Sequence, residues 1–240
     1  VVASLYGRNS LVEIIEKTAR NIFIPLTVGG GLRTLEDIKS VLRAGADKVS
    51  LNTAAIRNPK LIEEAAKRFG SSTIVVAIEV IKPEGRYLCF TENGREFTGR
   101  DAFEWAVEAY ERGAGEILLT SVDREGTGMG FDIELTRRIA EAVPIPVIAH
   151  GGAGELEHVR DVIVKGRADA VALASILHYD LIEKHRMLDE DYTREGNIEF
   201  LKNGTTFSRI KPVSLPEIKE YLVNHELECR HPLRKTRAVA

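Results

Sequence analysis

His150-Gly151-Gly152-Ala153-Gly154 leads into an amphipathic stretch and then into Gly166-Arg167-Ala168-Asp169-Ala170-Val171-Ala172-Leu173-Ala174-Ser175. The same order of parts occurs 122 positions earlier. There Val28-Gly29-Gly30-Gly31 is followed by an amphipathic stretch and by Gly45-Ala46-Asp47-Lys48-Val49-Ser50-Leu51-Asn52-Thr53. Gly29 and Gly151, Asp47 and Asp169, and Thr53 and Ser175 share that offset. A duplicated strand, Gly loop, helix and strand predicts a barrel made of two halves. Each half carries one backbone anion site, so the ligand expected is a small molecule with a phosphate at each end.

Working outward, short β-branched apolar runs at 24–28, 48–52, 73–81, 116–122, 145–149 and 170–176 read as parallel strands buried on both faces. Helical patterns lie between them, at 11–20, 35–44, 59–69, 100–112, 134–142 and 156–165. Thr34 is a capping residue for one helix, and Asn58-Pro59 opens another. Residues 84–98 hold Gly85 and Asn93-Gly94 and read as a small hairpin excursion. A third passage, Gly113-Ala114-Gly115-Glu116-Ile117-Leu118-Leu119-Thr120, echoes the other two. Strict alternation with internal symmetry predicts an α/β fold, a (β/α)8 TIM barrel with half-barrel duplication. An open doubly wound sheet is the second choice.

A closed barrel of this type has eight strands, and six are countable here. Val1 to Ser4 read as the tail of an earlier strand. We therefore expect the first one to two β/α units to lie upstream of Val1. The chain is expected to be a single barrel domain over 1–240, with a charged, aperiodic insertion at 178–213 before the last helix. Ser214-Leu215-Pro216-Glu217 is the capping-box start of that helix.

Composition narrows the function classes. The formal charge is −3, with 44% hydrophobic residues, which offers no electrostatic case for nucleic acid. No apolar run reaches the length of a membrane span. Cys89 and Cys229 match no metal spacing and read as reduced thiols of a cytoplasmic protein.

Barrel chemistry sits at the C-terminal ends of the strands. Gly29 to Gly31, Asn52, Thr53, Glu79, Thr120 to Asp123, Gly151, Gly152, Ala174 and Ser175 fall there. Glycines let a ligand approach the backbone, and amides at a following helix start bind anions. Glu79 ends an otherwise apolar strand, where burial would raise its pKa and suit it to proton transfer. The alternative is a salt-bridged strand-end carboxylate. In the loop Ser121 to Gly130, Asp123 could orient hydroxyls and the Gly126 amide could meet a phosphate; the alternative is a surface loop. Lys48 and Glu116 each begin a strand and could meet inside the barrel, either functionally or as an ion pair sealing its floor. His150 ends a strand beside Gly151. It could serve as a base, a donor to substrate or a filler, and without a cluster it implies no metal.

These motifs resemble the cyclase subunit of imidazole glycerol phosphate synthase (HisF). Thr27 to Gly31, Gly45 to Ala55, Arg112 to Ser121 and Gly151 to Gly154 carry the likeness. The resemblance implies a (β/α)8 barrel without a cofactor. Such an enzyme takes ammonia from a glutaminase partner of the HisH type. It converts a doubly phosphorylated ribulosyl intermediate to imidazole glycerol phosphate and an aminoimidazole carboxamide ribotide. By the same resemblance, Gly31, Asn52 and Thr53, beside Gly30, hold one phosphate. Gly126, Gly152, Ala174 and Ser175 hold the other, with Gly151 adjoining and Glu125 as the nearby acid. Lys48 and Glu116 match members of the ammonia gate, and Asp47 lies where the glutaminase docks. Two departures stand out. The family's pair of catalytic aspartates is represented here only by Glu79, the first lying upstream of Val1. His150 replaces a smaller residue. The segment 192–213 is similar to a HisF-like branch of surface-polysaccharide loci, which implies ammonia channelling for sugar amidation as an alternative.

Overall fold

A computed structural model describes residues 8–184 and 209–230. Helix α1 (Arg8–Asn21) precedes a sheet built of β1 (Thr27–Gly29), β2 (Lys48–Leu51), β3 (Ile74–Ile81), β4 (Leu88–Thr91), β5 (Glu96–Asp101), β6 (Glu116–Ser121), β7 (Val147–His150) and β8 (Ala170–Ala172). The strands β1-β2-β3-β6-β7-β8 pair in that order, and every pairing is parallel. The crossovers carry α2 (Leu35–Arg43), α3 (Thr53–Arg57) with α4 (Lys60–Phe69), α5 (Ala102–Glu111), α6 (Ile133–Ala142) and α7 (Leu156–Val164). This is the curled sheet and helical jacket of a TIM barrel. Among the described residues β1 and β8 each pair on one side only.

The sheet's two faces differ in composition because side chains alternate along a strand. Val49 and Leu51, then Ile74, Val76 and Ile78, then Ile117 and Leu119, then Val147 and Ala149 point outward and are buried. Over them lie Ile38 and Val41 of α2, Ile62 and Ala65 of α4, Trp105 of α5, Leu135 and Ile139 of α6 and Val162 of α7. The alternate positions face inward and hold the polar residues Thr27, Lys48, Ser50, Glu79, Glu116, Thr120 and His150, with Val75, Ala77, Leu118 and Ile148 among them.

Local signals explain most element ends. Thr34 accepts from the Asp37 amide and Asp37 reaches back, a capping box that starts α2. Asp101 ends β5 and caps α5 through the Phe103 and Glu104 amides. The hairpin β4–β5 turns through Glu92, Asn93 and Gly94, all at positive φ, and lies antiparallel on β3.

Three sequence expectations need correction. The first strand is Thr27–Gly29, not 24–28. Pro25 has no N–H to give, and the Leu26 N–H and C=O go to Asp47 instead. Residues 173–176 do not extend β8; Ser175 begins helix α8 (Ser175–Lys184), so 178–184 is helical rather than irregular. Only Ile176 of α8 is fully buried, which leaves no stripe for periodicity to reveal. Helix α3 adds an element that no sequence pattern marks, since it is a single short turn between Asn52 and Asn58. The remainder of the 178–213 segment up to 208 lies outside the described residues. Helix α9 (Leu215–Asn224) carries the expected capping box at Ser214 and Glu217 and packs Ile218 and Leu222 beside Val159. No helix among the described residues is long and apolar enough to cross a membrane.

The duplication has a structural meaning at the strand entrances. Asp47 Oδ2 accepts from the Leu26 N–H at 2.7 Å, and the Asp47 N–H donates to Leu26 O at 2.8 Å. Asp169 Oδ2 accepts from the Val147 N–H at 2.8 Å, and the Asp169 N–H donates to Val147 O at 3.0 Å. Each aspartate thus clips the entrance of its own strand to the preceding one. We expect Asp169→Ala to cost about 1 kcal/mol of folding stability, and Asp47→Ala less, because its contact is exposed. Urea unfolding midpoints of the two variants check this order.

Candidate functional site

Two cavities open at the C-terminal ends of the strands, one at each glycine loop. The first, of about 430 Å³, is lined by Gly29 to Arg33, Asn52, Thr53, Arg57, Glu79, Glu92 and Asn93 among others. The second, of about 280 Å³, is lined by Glu125, Gly126, His150 to Ala153 and Ala172 to Ile176. Gly30, Gly31, Asn52, Thr53 and Glu79 are therefore brought together in one cavity. Glu125, Gly126, Gly151, Gly152, Ala174 and Ser175 share the other.

The two loops are not equivalent. Gly30 and Gly31 have φ of +99° and +71°, and a Cβ added to either meets nothing within 4 Å. Their backbone faces open space, so glycine is required for conformation and for ligand access. At Gly151 an added Cβ would lie 2.6 Å from Ser121 O, and at Gly152 2.2 Å from Gly130 O. Gly130 N–H donates to Gly152 O at 2.8 Å. The second loop is packed on the β6–α6 connection, and its glycines are required by close backbone approach. The open glycine of the second cavity is Gly126, with φ of +72° and nothing within 4 Å of an added Cβ.

Glu79 leaves β3 toward the interior and is half-buried. It accepts from the Gly94 N–H at 2.9 Å and from the Asn52 side chain. Burial holds its carboxyl above the usual carboxylate range; the Gly94 and Asn52 donors oppose this, and the Glu125 charge adds to it. Among the described residues it has no ion pair. Asn52 Oδ1 is buried in the cavity wall with no hydrogen-bond partner among the described residues. An orphan acceptor beside a carboxyl awaits a donor. The hairpin supplies Glu92, Asn93 and Gly94, and the Glu92 N–H donates to Thr53 Oγ1 at 3.3 Å. Sequence reading found the hairpin but not that its turn closes on Glu79; Asn93-Gly94 was the only local signal. Arg33 and Arg57 also line the first cavity, although Arg57 is engaged with Glu92 and Glu96.

The remaining candidates fall elsewhere. Asp123 lines neither cavity. Its Oδ2 accepts from the Lys82 N–H at 2.7 Å and pins the β6–α6 connection to the end of β3. Lys48 and Glu116 do form an ion pair, bridging over β3 at the opposite end of the sheet, with side chains 28% and 19% exposed. Asp47 sits on that same end, with its carboxylate on the Leu26 amide.

A family model described as Histidine biosynthesis protein matches residues 1–183. The chain belongs to this family. The family covers both the isomerase and the cyclase of histidine biosynthesis, and its barrel agrees with the parallel sheet and duplicated glycine loops seen here.

The asymmetry of the loops separates ligand effects from folding effects. We expect Gly30→Ala to fold, at a cost of about 1–3 kcal/mol for its left-handed backbone, and to bind sulfate about tenfold more weakly at the first cavity. Gly152→Ala should fail as a folding defect, read by loss of a cooperative thermal transition. Glu79→Gln removes a carboxyl that folding makes harder to ionise. In the parent, this group's contribution to stability is present below the ordinary glutamate pKa and is lost as pH rises through the raised value. The variant's melting temperature should therefore exceed the parent's at pH 7, and the gap should close on acidification.

Proposed function

We propose that this protein is an ammonia-dependent cyclase/lyase of the HisF type. It would convert a bis-phosphorylated ribulosyl-aminoimidazole to imidazole glycerol phosphate and aminoimidazole carboxamide ribotide. One observation carries the reading: an inward, half-buried Glu79 lies on the rim that holds both glycine-loop cavities. A ligand with a phosphate in each cavity presents its ketone to the stretch between them. Gly30, Gly31, Asn52 and Thr53 would hold one phosphate. Gly126, Gly152, Ala174 and Ser175, the last at the start of α8, would hold the other through backbone amides. Glu79, whose pKa burial raises, would supply a proton where oxygen or nitrogen leaves.

Ammonia enters the argument through Lys48 and Glu116. A half-buried pair at the floor of a sheet is costly to bury and gains little stability. Its position suits a gate facing a glutaminase docked near Asp47. An isomerase of the same family needs no such route, which favours the cyclase. The second reading is a barrel that channels ammonia for sugar amidation. It is favoured by Glu79, whose carboxylate stands one methylene further out than an aspartate's, since a shift of about 1 Å can cost about 10²-fold in rate.

Incubation of the purified chain with the ribulosyl intermediate and ammonium chloride should yield imidazole glycerol phosphate. Glu79→Gln should lower kcat by about 10²- to 10⁴-fold, and kcat of the parent should fall as pH rises past the Glu79 value. If neither the parent nor Glu79→Asp makes product, the cyclase reading is lost and the channelling reading is favoured.

A further inference from the structure

Glu79, Thr120 and His150 form one row across three neighbouring strands. Glu79 of β3 is the register partner of Thr120 on β6, and Thr120 is the partner of His150 on β7. Glu79 lines the first cavity and His150 the second, so all three residues are on the inner face. Neighbouring strands run about 4.8 Å apart, which sets the outer two Cα atoms roughly 10 Å from each other. Side chains from both then reach into the space between the cavities.

The middle residue is not a spacer. Thr120 is 8% exposed, and its Oγ1 lies 3.0 Å from His150 Nδ1. Whichever of the two donates, Nδ1 is occupied and the ring is fixed. Nε2 has no partner among the described residues. A held imidazole with one free nitrogen facing a ligand space is how a histidine is arranged for proton transfer.

We propose that His150 and Glu79 act as a proton-transfer pair on the middle of a ligand whose ends occupy the two cavities, with Thr120 as the residue that positions the imidazole. The step below rests on the cyclase reading; the pairing itself does not. Ammonia adds to the ketone carbon, forming a C–N bond while one proton moves from nitrogen to oxygen. Loss of water breaks the C–O bond and moves a second proton the same way. In each half the imidazole takes the proton from nitrogen and the carboxyl gives one to oxygen. The imidazolium then returns its proton to the carboxylate. Ketone and ammonia leave as imine and water, and both groups end as they began.

The surroundings of His150 make the pairing measurable. From β6 it meets Thr120, and Glu79 of β3 stands one strand further along the same row. The cavity that His150 lines is shared with Glu125 of the β6–α6 connection and with Ala172, Leu173 and Ser175, which carry no charge. No lysine or arginine is among the residues that line this cavity, and Glu125 is its one carboxylate.

The test uses the whole chain and its variants His150→Gln, Thr120→Val, Thr120→Ser and Glu79→Gln. Ring resonances of ¹⁵N-labelled histidine, with His150 assigned by its loss in His150→Gln, are followed against pH, with and without ribulose 1,5-bisphosphate. We expect the His150 midpoint to fall by roughly 0.5 pH unit in Glu79→Gln and to move on adding the bisphosphate. Thr120→Val should shift it and Thr120→Ser restore it. With the ribulosyl intermediate and ammonia, His150→Gln should lower kcat about 10²- to 10⁴-fold with KM within about threefold, and should erase one limb of the pH profile. A His150 midpoint indifferent to both Glu79→Gln and the bisphosphate overturns the pair whether or not the protein turns over. Parental kcat and pH profile in His150→Gln overturn it as well. Coupled titration in a protein that makes no imidazole glycerol phosphate upholds the pair and removes only the cyclase reading.

Discussion

The alternation of side chains along the six parallel strands of the described residues governs this molecule. Each strand buries its outward residues under helices, and that burial provides most of the driving force for folding. The inward residues are thereby released from core duty. In this chain they include Thr27, Lys48, Ser50, Glu79, Glu116, Thr120 and His150. A register slip of a single residue would turn this polar set into the helix layer and the apolar set inward. Register is therefore under strong selection by burial, and the site inherits its precision from the core.

That constraint also explains why polar groups gather at two levels inside the sheet. Lys48 and Glu116 stand at the strand entrances and meet over β3. Glu79, Thr120 and His150 stand at the exits in one register row. Between them lie smaller or apolar inward residues, among them Ala77 and Leu118. The charges at the floor and the titratable groups at the rim thus belong to separate environments. Strand length, not loop design, keeps them apart.

Duplication built the frame, and divergence distinguished the halves. The Asp47 and Asp169 clips perform the same backbone task. The glycine loops above them do not. Gly30 and Gly31 look onto open space, whereas Gly151 and Gly152 are filled by the backbone of the β6–α6 connection. The hairpin β4–β5, which follows β3 alone, brings the Gly94 amide to Glu79. A symmetric frame therefore carries an asymmetric rim.

The sequence alone determined the class of fold, the repeat, most helix spans and the capping residues Thr34 and Ser214. These are local or periodic properties, and burial imposes them at fixed spacing. It also picked out Glu79 and the glycine loops, because a carboxylate or a Gly pair after an apolar strand breaks a pattern. Only the tertiary structure decided what those residues meet. Nothing near Asp123 in the chain points to the Lys82 amide, 41 positions away. Nothing near Gly152 foretells that Gly130 fills its loop, or that Thr120 holds His150. The end of β8 and the single turn of α3 were likewise unreadable, since Ala, Ser and Thr are compatible with strand and helix alike. Such contacts arise from register between strands distant in sequence, and register is settled by the packing of all the layers at once.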